Sequence, residues 1–445
     1  MPPRRRKSAE TTVTTETTTE TASARGGGDE ENADARAPAK KIKSRSGQRK
    51  KKTTNAAEAL KDIGTNAVNA EEDGVNAEED AAAREGSGDV FDLLRGENSA
   101  TMLFSNEWRA RYNASEIAAV AEIYSLLCKA AGCTTGVSAM ELQRSDCLTI
   151  MNRIVNDMAS GNLFGEDPLS KRSQDFKGFR ENFLEFIDKC VRNTSEGEEL
   201  YDGTLFASLA EIVATCASSK ARPLRMAATL MALQIITSLI TVVNNLQKAR
   251  DLKQNQMDNE LKKKTVAADL VKSLQRAIDN AQEQIELVEG YMNEMFTKVY
   301  THRFRDCDEH IRAECMKAMG KWMFKHQLVF LTDFYLKYLG WSLNDKSAAV
   351  RLEVLFALKN LASSQSHLAM MDTFIARFKG RIAEMLCDVD ARVVVEAVRL
   401  AAVLHEHTEL DAEHMNFVTA LIMDRHPTIR VAAAKATKTL IHTLT

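Results

Sequence analysis

The sequence predicts an all-α fold from residue 89 onward, and three observations predict it. Pro168, Pro223 and Pro427 are the only prolines after Val90, and the helix-favouring residues Ala, Leu, Met, Glu and Lys dominate this part of the sequence. Apolar residues recur at three- and four-residue steps, as on one helix face, at Phe176, Phe179, Phe183, Ile187 and Cys190. No alternating segment of strand length is bounded by turn residues. Residues 89–222 are expected to form an N-terminal helical region.

Residues 1–88 are expected to form a disordered charged tail. They contain no aromatic residue and too little apolar area to offset the entropy of ordering. Residues 1–52 carry a net charge of +7 and residues 53–92 a net charge of −9, within a total of −3 over 445 residues. Two basic clusters are candidates for a nuclear import signal or a nonspecific phosphate contact: Lys40, Lys41, Lys43, Arg49, Lys50, Lys51 and Lys52. A solvated charge run is the alternative.

Residues 223–300 predict a long antiparallel helical hairpin. No Gly or Pro occurs between residues 224 and 289. Apolar residues then alternate in steps of four and three, as in a coiled-coil seam, at Leu274, Ile278, Ala281, Ile285, Val288, Met292, Met295 and Val299. The polar stretch 247–264 is expected at an exposed tip that protrudes from the body. The first helix is expected to end within residues 248–256 and the second to begin near Asp258.

Residues 301–445 contain a pattern that occurs four times. An Asp is followed five positions later by an aliphatic residue and, in three copies, by an Arg at the next position. The aspartates are Asp306, Asp345, Asp388 and Asp424, spaced by 39, 43 and 36 residues. This spacing is typical of a HEAT-like two-helix repeat, in which the Asp lies in the turn and the Arg reaches a neighbouring turn. An earlier copy is expected at Leu224 and Arg225.

The sequence contains no common catalytic signature. The patterns GxxxxGK[ST], GxGxxG, GxSxG and HExxH are absent. A metal-dependent enzyme built around His405, His407 and His414 is a weak alternative, because their spacing matches no usual ligand pattern. The longest apolar stretch, residues 223–243, is interrupted by Arg225 and polar residues, so no membrane span is expected. We expect a soluble intracellular binding protein with no cofactor, metal or small-molecule substrate.

Clustered cations in the folded part are candidates for DNA contact, because they can release counterions from a DNA backbone without reading sequence. Lys317, Lys321 and Lys325 lie four residues apart on one predicted helix face. The other candidates are Lys262, Lys263 and Lys264 at the predicted tip, and Lys298, Arg303 and Arg305. The alternative is an ordinary solvated helix face.

A second cluster consists of Tyr338, Trp341, Phe374 and Arg377. Trp and Tyr next to Gly340, with Phe and Arg in the following repeat, would line a groove for an aromatic peptide anchor and its acidic flank. The residues alone favour the alternative that the aromatic side chains belong to the core.

Several segments resemble the STAG, or stromalin, subunits of cohesin. The longest is residues 330–341, FLTDFYLKYLGW, and the others are residues 199–203, 302–306, 344–346, 350–352, 377–382 and 395–400. The resemblance covers roughly residues 176–445 and includes the stromalin conserved domain at about residues 302–388.

The resemblance implies a HEAT-repeat subunit of cohesin in the nucleus and on chromosomes. It would bind the kleisin, and through it the SMC heterodimer, contact DNA and chromatin, and support sister-chromatid cohesion and chromosome segregation in the cell cycle. Regulator peptides with Phe-containing motifs would dock at Tyr338, Trp341, Phe374 and Arg377, where Thr373 replaces a usually aliphatic residue. Family members continue for many more repeats, so a fragment or a short form is expected. A generic HEAT-repeat transport or regulatory scaffold without DNA contact is the competing interpretation.

Overall fold

The structure is a computed structural model, and helices form nearly all of its regular elements. It describes residues 89–96, 100–170, 172–265, 267–406 and 412–444. These residues lie in the second of two units of the chain, residues 75–445. Among them the only β-type pairing is an isolated bridge between Cys133 and Leu163, so the all-α prediction is confirmed. The tail predicted for residues 1–88 lies outside the described residues.

The N-terminal helices pack around an aromatic core. They are α1 Val90–Leu93, α2 Thr101–Ala114, α3 Glu116–Ala130, α4 Ala139–Arg144, α5 Cys147–Ala159, α6 Phe179–Glu196 and α7 Thr204–Ala217. Asp146 caps α5 by accepting a hydrogen bond from the Thr149 backbone N–H at 2.8 Å. Trp108 of α2 is buried and donates to the Ala119 carbonyl of α3 at 3.0 Å. Gly203 has a φ of 84° in the turn before α7, which favours glycine there.

The predicted hairpin consists of α8, Arg222–Leu261, and α9, Ala268–Met295. Pro223 lies in the first turn of α8, where its missing N–H costs no helical hydrogen bond. The seam residues Ile278, Ala281, Ile285, Val288, Met292 and Met295 are buried. One window of α8 is long and apolar enough to cross a membrane, but 78% of that window is buried inside the fold. A buried core helix explains this apolar segment.

The predicted ends of the two hairpin helices are wrong. α8 continues to Leu261 and α9 begins only at Ala268. The polar stretch is rich in Lys, Gln, Asp and Asn and contains no Gly or Pro, so most of its residues favour or tolerate a helix. Most side chains in residues 247–265 are exposed or half-buried. Polarity therefore marks the exposed part of the hairpin and not the end of a helix.

The helices after the hairpin form the repeats. A π-helix, Phe296–Tyr300, precedes α10 Thr301–Arg303, α11 Glu309–Lys325, α12 Gln327–Phe330, α13 Asp333–Ser342, α14 Ala348–Ala362, α15 Gln365–Ala369, α16 Asp372–Glu384, α17 Ala391–Glu406, α18 Ala412–Ala420 and α19 Pro427–Leu444. Helices α8, α11, α14, α17 and α19 pack against one another in that order. Each repeat therefore contacts mainly its neighbours, as in other helical repeat arrays.

The predicted pairing of Asp and Arg between neighbouring repeats is confirmed. Arg312 donates two hydrogen bonds to Asp345, at 2.7 and 2.8 Å. Arg351 makes the same two-pronged contact with Asp388, at 2.8 and 2.7 Å. Arg312 also donates to the Asp306 carbonyl of its own turn at 2.8 Å. Two parallel charge-assisted hydrogen bonds fix the orientation of one repeat on the next. We call this series of pairs the Asp–Arg ladder.

The ladder begins one repeat earlier and stops one repeat short. Arg225 of α8 binds Asp306 at 2.8 and 3.2 Å, which confirms the predicted earlier copy. In α17 the corresponding position is Val394. Asp424 accepts a hydrogen bond from the His426 backbone N–H at 2.6 Å, and no arginine of α17 pairs with it among the described residues.

Burial and ion pairing act in opposite directions on the ladder carboxylates. Burial raises the pKa of Asp306, Asp345 and Asp388, but hydrogen bonds from the paired arginines and from backbone N–H groups outweigh it. The net pKa of each carboxyl group therefore lies below its ordinary value, and all three are ionised at neutral pH.

Candidate functional site

An aromatic cluster joins the end of the hairpin to α13. In the π-helix, the rings of Phe296 and Tyr300 stack with their centroids 4.7 Å apart. Tyr338 packs edge-on against both rings at 5.6 Å and against Phe304 at 4.8 Å. Trp341 lies beside Tyr338 with the ring centroids 5.6 Å apart. The cluster fixes the position of α13 and leaves Trp341 at its outer edge.

The structure divides the four predicted docking residues into buried and exposed pairs. Tyr338 and Phe374 are 6% and 3% exposed, so their side chains belong to the core in this state. Trp341 is 52% exposed, and Arg377 is also exposed. A ligand that approaches this region would meet Trp341 and Arg377 first.

Helices α13 and α16, which carry these residues, touch at a glycine. A Cβ atom on Gly340 would lie 2.3 Å from the Phe378 ring, so a larger residue would force the helices apart. Phe378 packs on Phe374 with the ring centroids 4.7 Å apart. Arg381 of α16 donates to the Leu343 carbonyl at the end of α13, at 3.0 Å. The two halves of the predicted cluster therefore lie on helices in direct contact.

Lys337 and Phe334 are two surface residues that the sequence interpretation missed. The Lys337 ammonium lies 4.2 Å from the centroid of the Phe334 ring, 5.4 Å from that of Tyr338 and 5.6 Å from that of Trp341. Phe334, like Trp341, is largely exposed. The steps of three and four between Phe334, Lys337 and Trp341 place all three on one helix face, and that spacing was the available signal.

Lys317, Lys321 and Lys325 lie on successive turns of α11, and we call them the lysine face. Lys321 and Lys325 are exposed and Lys317 is half-buried. They line a groove of about 490 Å³ between α11 and α14, together with Phe324 and Phe356. Glu353 lines the same groove, and Glu314 and Glu353 act electrostatically on Lys321. Partial burial, followed by the neighbouring Lys317 charge, lowers the pKa of Lys321.

The cations upstream of α11 have different roles. Lys298 donates to Glu294 at 2.7 Å on the surface. Arg303 donates to the buried Asp306 at 2.5 Å and so contributes to the first turn of the ladder. Arg305 is exposed. Of these three DNA-binding candidates, Arg303 is therefore the one that is held inside the fold.

The lysines at the hairpin tip are remote from the lysine face. Residues 262–264 are exposed, and Lys263 donates to Glu260 at 2.5 Å. The Asn244 side chain donates to the Lys325 carbonyl at 3.2 Å, which marks where the lysine face meets α8. The 18 helical residues from there to the tip correspond to roughly 27 Å. The two groups of lysines cannot contact the same phosphate.

The remaining candidates concern import and metal binding. The basic clusters at residues 40–52 and His407 lie outside the described residues. In the part of the chain that the structure describes, no group of three His, Cys, Asp or Glu side chains is placed to hold a metal ion.

Two family models match the chain. The STAG domain matches residues 165–277, which include the hairpin tip. The stromalin conservative domain matches residues 305–379, which include the lysine face and the four predicted docking residues.

The most similar relatives include three cohesin proteins. Sister-chromatid cohesion protein 3 of Arabidopsis thaliana is 32% identical over 77% of this chain and 31% of its own length. Cohesin subunit SA-3 of Rattus norvegicus is 32% identical over 72% of this chain and 26% of its own length. Cohesin subunit psc3 of Schizosaccharomyces pombe is 27% identical over 77% of this chain and 36% of its own length. The chain thus spans about a quarter to a third of these relatives.

A solved structure has the same fold. The cohesin subunit Scc3 from Z. rouxii superposes with a TM-score of 0.71 and 23% identity, over 82% of this chain and 44% of that chain. This similarity supports the all-α helical-repeat fold of the chain.

Proposed function

Because the chain belongs to the cohesin SA/STAG family by its STAG and stromalin conservative domains, we propose that it acts as a non-catalytic subunit of cohesin. In this role it supports sister-chromatid cohesion and chromosome segregation. The observation that carries the proposal is the presence of both domains, in order, within a stretch that aligns with cohesin subunits of plant, animal and yeast.

The subunit role requires protein partners, and the kleisin is the first of them. The kleisin would connect the chain to the SMC heterodimer. Helical repeat arrays present extended surfaces that suit such a long, flexible partner. No catalytic constellation is needed for this role.

DNA is the second partner, and the lysine face is its best-supported site. Three cations on successive turns of one helix can neutralise successive phosphates. The exposed tip lysines and Arg305 would add contacts, whereas Arg303 is occupied by Asp306. The chain would accordingly work in the nucleus, on chromosomes, with the basic clusters at residues 40–52 as the import signal.

The junction of α13 and α16 is proposed to dock regulator peptides with Phe-containing motifs. Trp341 and Arg377 offer an exposed ring and a cation for the peptide. Tyr338 packs beside Trp341. Phe374 packs on Phe378, whose ring lies under the Arg377 guanidinium. The Lys337 ammonium already lies over the exposed aromatic surface and would be displaced or shared on binding.

Co-purification tests the subunit role directly. The full chain is co-expressed with the kleisin of the same organism, and size-exclusion chromatography is expected to show both proteins in one peak. Recovery of a folded chain that elutes alone would contradict kleisin binding by this part of the subunit.

Recruitment to chromatin separates this proposal from a transport or regulatory scaffold. The amount of the chain in the chromatin fraction is measured with and without depletion of the kleisin. A cohesin subunit is expected to leave chromatin when the kleisin is depleted. An amount that does not change would favour the competing scaffold.

A further inference from the structure

A groove among the N-terminal helices lies apart from the surfaces considered above. It has a volume of about 290 Å³ and is lined by residues of α2, α3, α4 and α7 and by the start of α5. No residue of the lysine face or of α13 and α16 lines it. We call it the acidic groove.

Apolar side chains form part of its wall. Ile117 is 41% exposed although it lies in a concave surface. Val120 and Ile212 are buried beneath the groove, and Leu142 is half-buried. Next to the groove residue Cys147, Leu148 is also largely exposed. Exposed aliphatic side chains in and beside a groove favour the burial of a partner's apolar side chain.

The charged residues that line the groove are all carboxylates. They are Glu116, Asp146 and Glu211, and each is exposed. No Lys or Arg of the described residues forms an ion pair with any of them. The hydrogen bonds from Thr149 lower the pKa of Asp146, so this carboxylate is ionised at neutral pH.

Two other lining residues respond to this negative charge. Burial raises the pKa of the Tyr112 phenol, and Asp202 and Glu116 raise it further, against the opposing effect of its hydrogen bond with Thr204. Burial raises the pKa of the Cys147 thiol to about 11, and the nearby carboxylates contribute to the increase. The groove therefore combines an apolar wall with an uncompensated negative field.

We propose that the acidic groove binds a short segment of a partner protein in which an aliphatic side chain is flanked by Lys or Arg. The aliphatic side chain would cover Ile117, and the flanking cations would pair with Glu116 and Glu211. Nucleic acid is excluded as the occupant, because its phosphates would face three carboxylates and no cation. The groove is thus opposite in charge to the lysine face and selects a different class of partner.

A peptide pair tests the proposal on the full chain. The probe is a fluorescent twelve-residue peptide of four Lys-Leu-Lys units, and its match has four Lys-Gly-Lys units. Anisotropy at about 150 mM salt is expected to give at least tenfold tighter binding of the leucine peptide. The comparison matters because residues 53–92, with a net charge of −9, would attract both peptides through charge alone.

Charge reversal locates the binding. In the Glu116→Lys/Glu211→Lys variant the preference for the leucine peptide is expected to disappear. It should persist in the Glu283→Lys/Glu286→Lys variant, which makes the same charge change on the exposed surface of α9. The milder Glu116→Gln/Glu211→Gln variant, with a melting curve that matches the parent, guards against a folding defect. Equal binding of the two peptides by the parent chain, or equal losses in both Lys variants, would overturn the proposal.

Discussion

At the scale of single residues, Arg312 shows how a side chain can hold two repeats together. Its guanidinium is buried and binds both oxygens of Asp345. In the Arg312→Ala variant this carboxylate stays buried without its partner, and removal of one member of such a pair costs about 3–5 kcal/mol. We expect a clear fall in the melting temperature, measured by circular dichroism.

Arg392 provides the matched control. It pairs with Asp390 at 2.8 Å, but its side chain is largely exposed. Water replaces an exposed partner readily, so the Arg392→Ala variant is expected to melt almost like the parent chain. Equal losses in the two variants would mean that the ladder contributes no more than a surface ion pair.

Trp341 permits a test of the proposed docking surface, because half of its side chain is free for a ligand. The Trp341→Ala variant is expected to lose at least about 2 kcal/mol in binding a Phe-containing regulator peptide. Phe324→Ala is the matched control, since Phe324 is equally exposed but lies on α11. Calorimetric titration measures both. An unchanged peptide affinity together with early melting would assign Trp341 to the core.

The sequence grouped Tyr338 with Trp341 but did not predict which of the two is exposed. Tyr338 and Trp341 are three residues apart on one helix, yet one is buried and the other half-exposed. The difference arises because the π-helix directs Phe296 and Tyr300 onto Tyr338. No local pattern encodes which side of α13 a distant segment will cover.

At the scale of elements, the ladder lacks an arginine at the position of Val394, and this position predicts a site for stabilisation. Val394 is 3% exposed. Arg312 occupies the corresponding position in α11 and is 5% exposed, so an arginine can be accommodated at such a buried position. In the Val394→Arg variant the new guanidinium is expected to bind Asp424 and to stabilise the last repeat by about 1–3 kcal/mol. Hydrogen exchange of α18 and α19 measures the effect.

Val394→Met is the control for this change, because it adds length without charge. The Arg variant should protect α18 and α19 more strongly than the Met variant does. Equal protection would show that the added side-chain volume and not the ion pair is responsible.

The lysine face makes a prediction about α11. Reversal of Lys317, Lys321 and Lys325 to Glu is expected to weaken DNA binding and to flatten the dependence of log K on log salt by about one unit per lost phosphate contact. The control variant replaces three exposed cationic residues elsewhere by Glu, namely Arg144, Lys220 and Lys346. Titrations of a fluorescent duplex at several salt concentrations compare the two variants. An unchanged slope in the first would remove this face from the DNA site.

Element types were more predictable than element ends. The seam from Ile278 to Met295 followed from spacing alone, since a coiled-coil pattern is local. The end of α8 did not, because Lys262 and its neighbours differ little in helix propensity from the residues before them. The turn is set by packing between α8 and α9 as much as by composition.

At the scale of the whole molecule, the ladder carboxylates predict how stability depends on pH. Their pKa values are lower in the folded state than the ordinary value of about 3.9. Their stabilising effect is therefore complete above that value and is lost as pH falls from it through the lower folded pKa values. The melting temperature is expected to fall steeply in this acidic window.

The Asp388→Asn variant checks that the ladder causes this fall. It should be less stable than the parent at neutral pH and should lose less on acidification. Asp279→Asn, a change of an exposed carboxylate, should leave the slope as it is in the parent. Parallel curves for the parent and Asp388→Asn would assign the acid sensitivity to other groups.

The repeats were predictable because Asp and Arg recur in register and each repeat contacts its neighbour. The N-terminal helices have no such repeat, so the sequence predicted helices there but not their arrangement. The acidic groove brings together Glu116 of α3, the α5 cap residue Asp146 and Glu211 of α7. Such long-range contacts leave no signature in spacing, and the groove could not have been found without the structure.

The length of the hairpin would amplify any rotation at its base. The distal arm extends roughly 27 Å beyond the point where Asn244 holds Lys325. A rotation of about 10° at that contact would move the tip by about 5 Å, which is more than the 3.4 Å rise between neighbouring base pairs of DNA. A small rotation at the base would therefore move the tip lysines by more than the rise of one base pair.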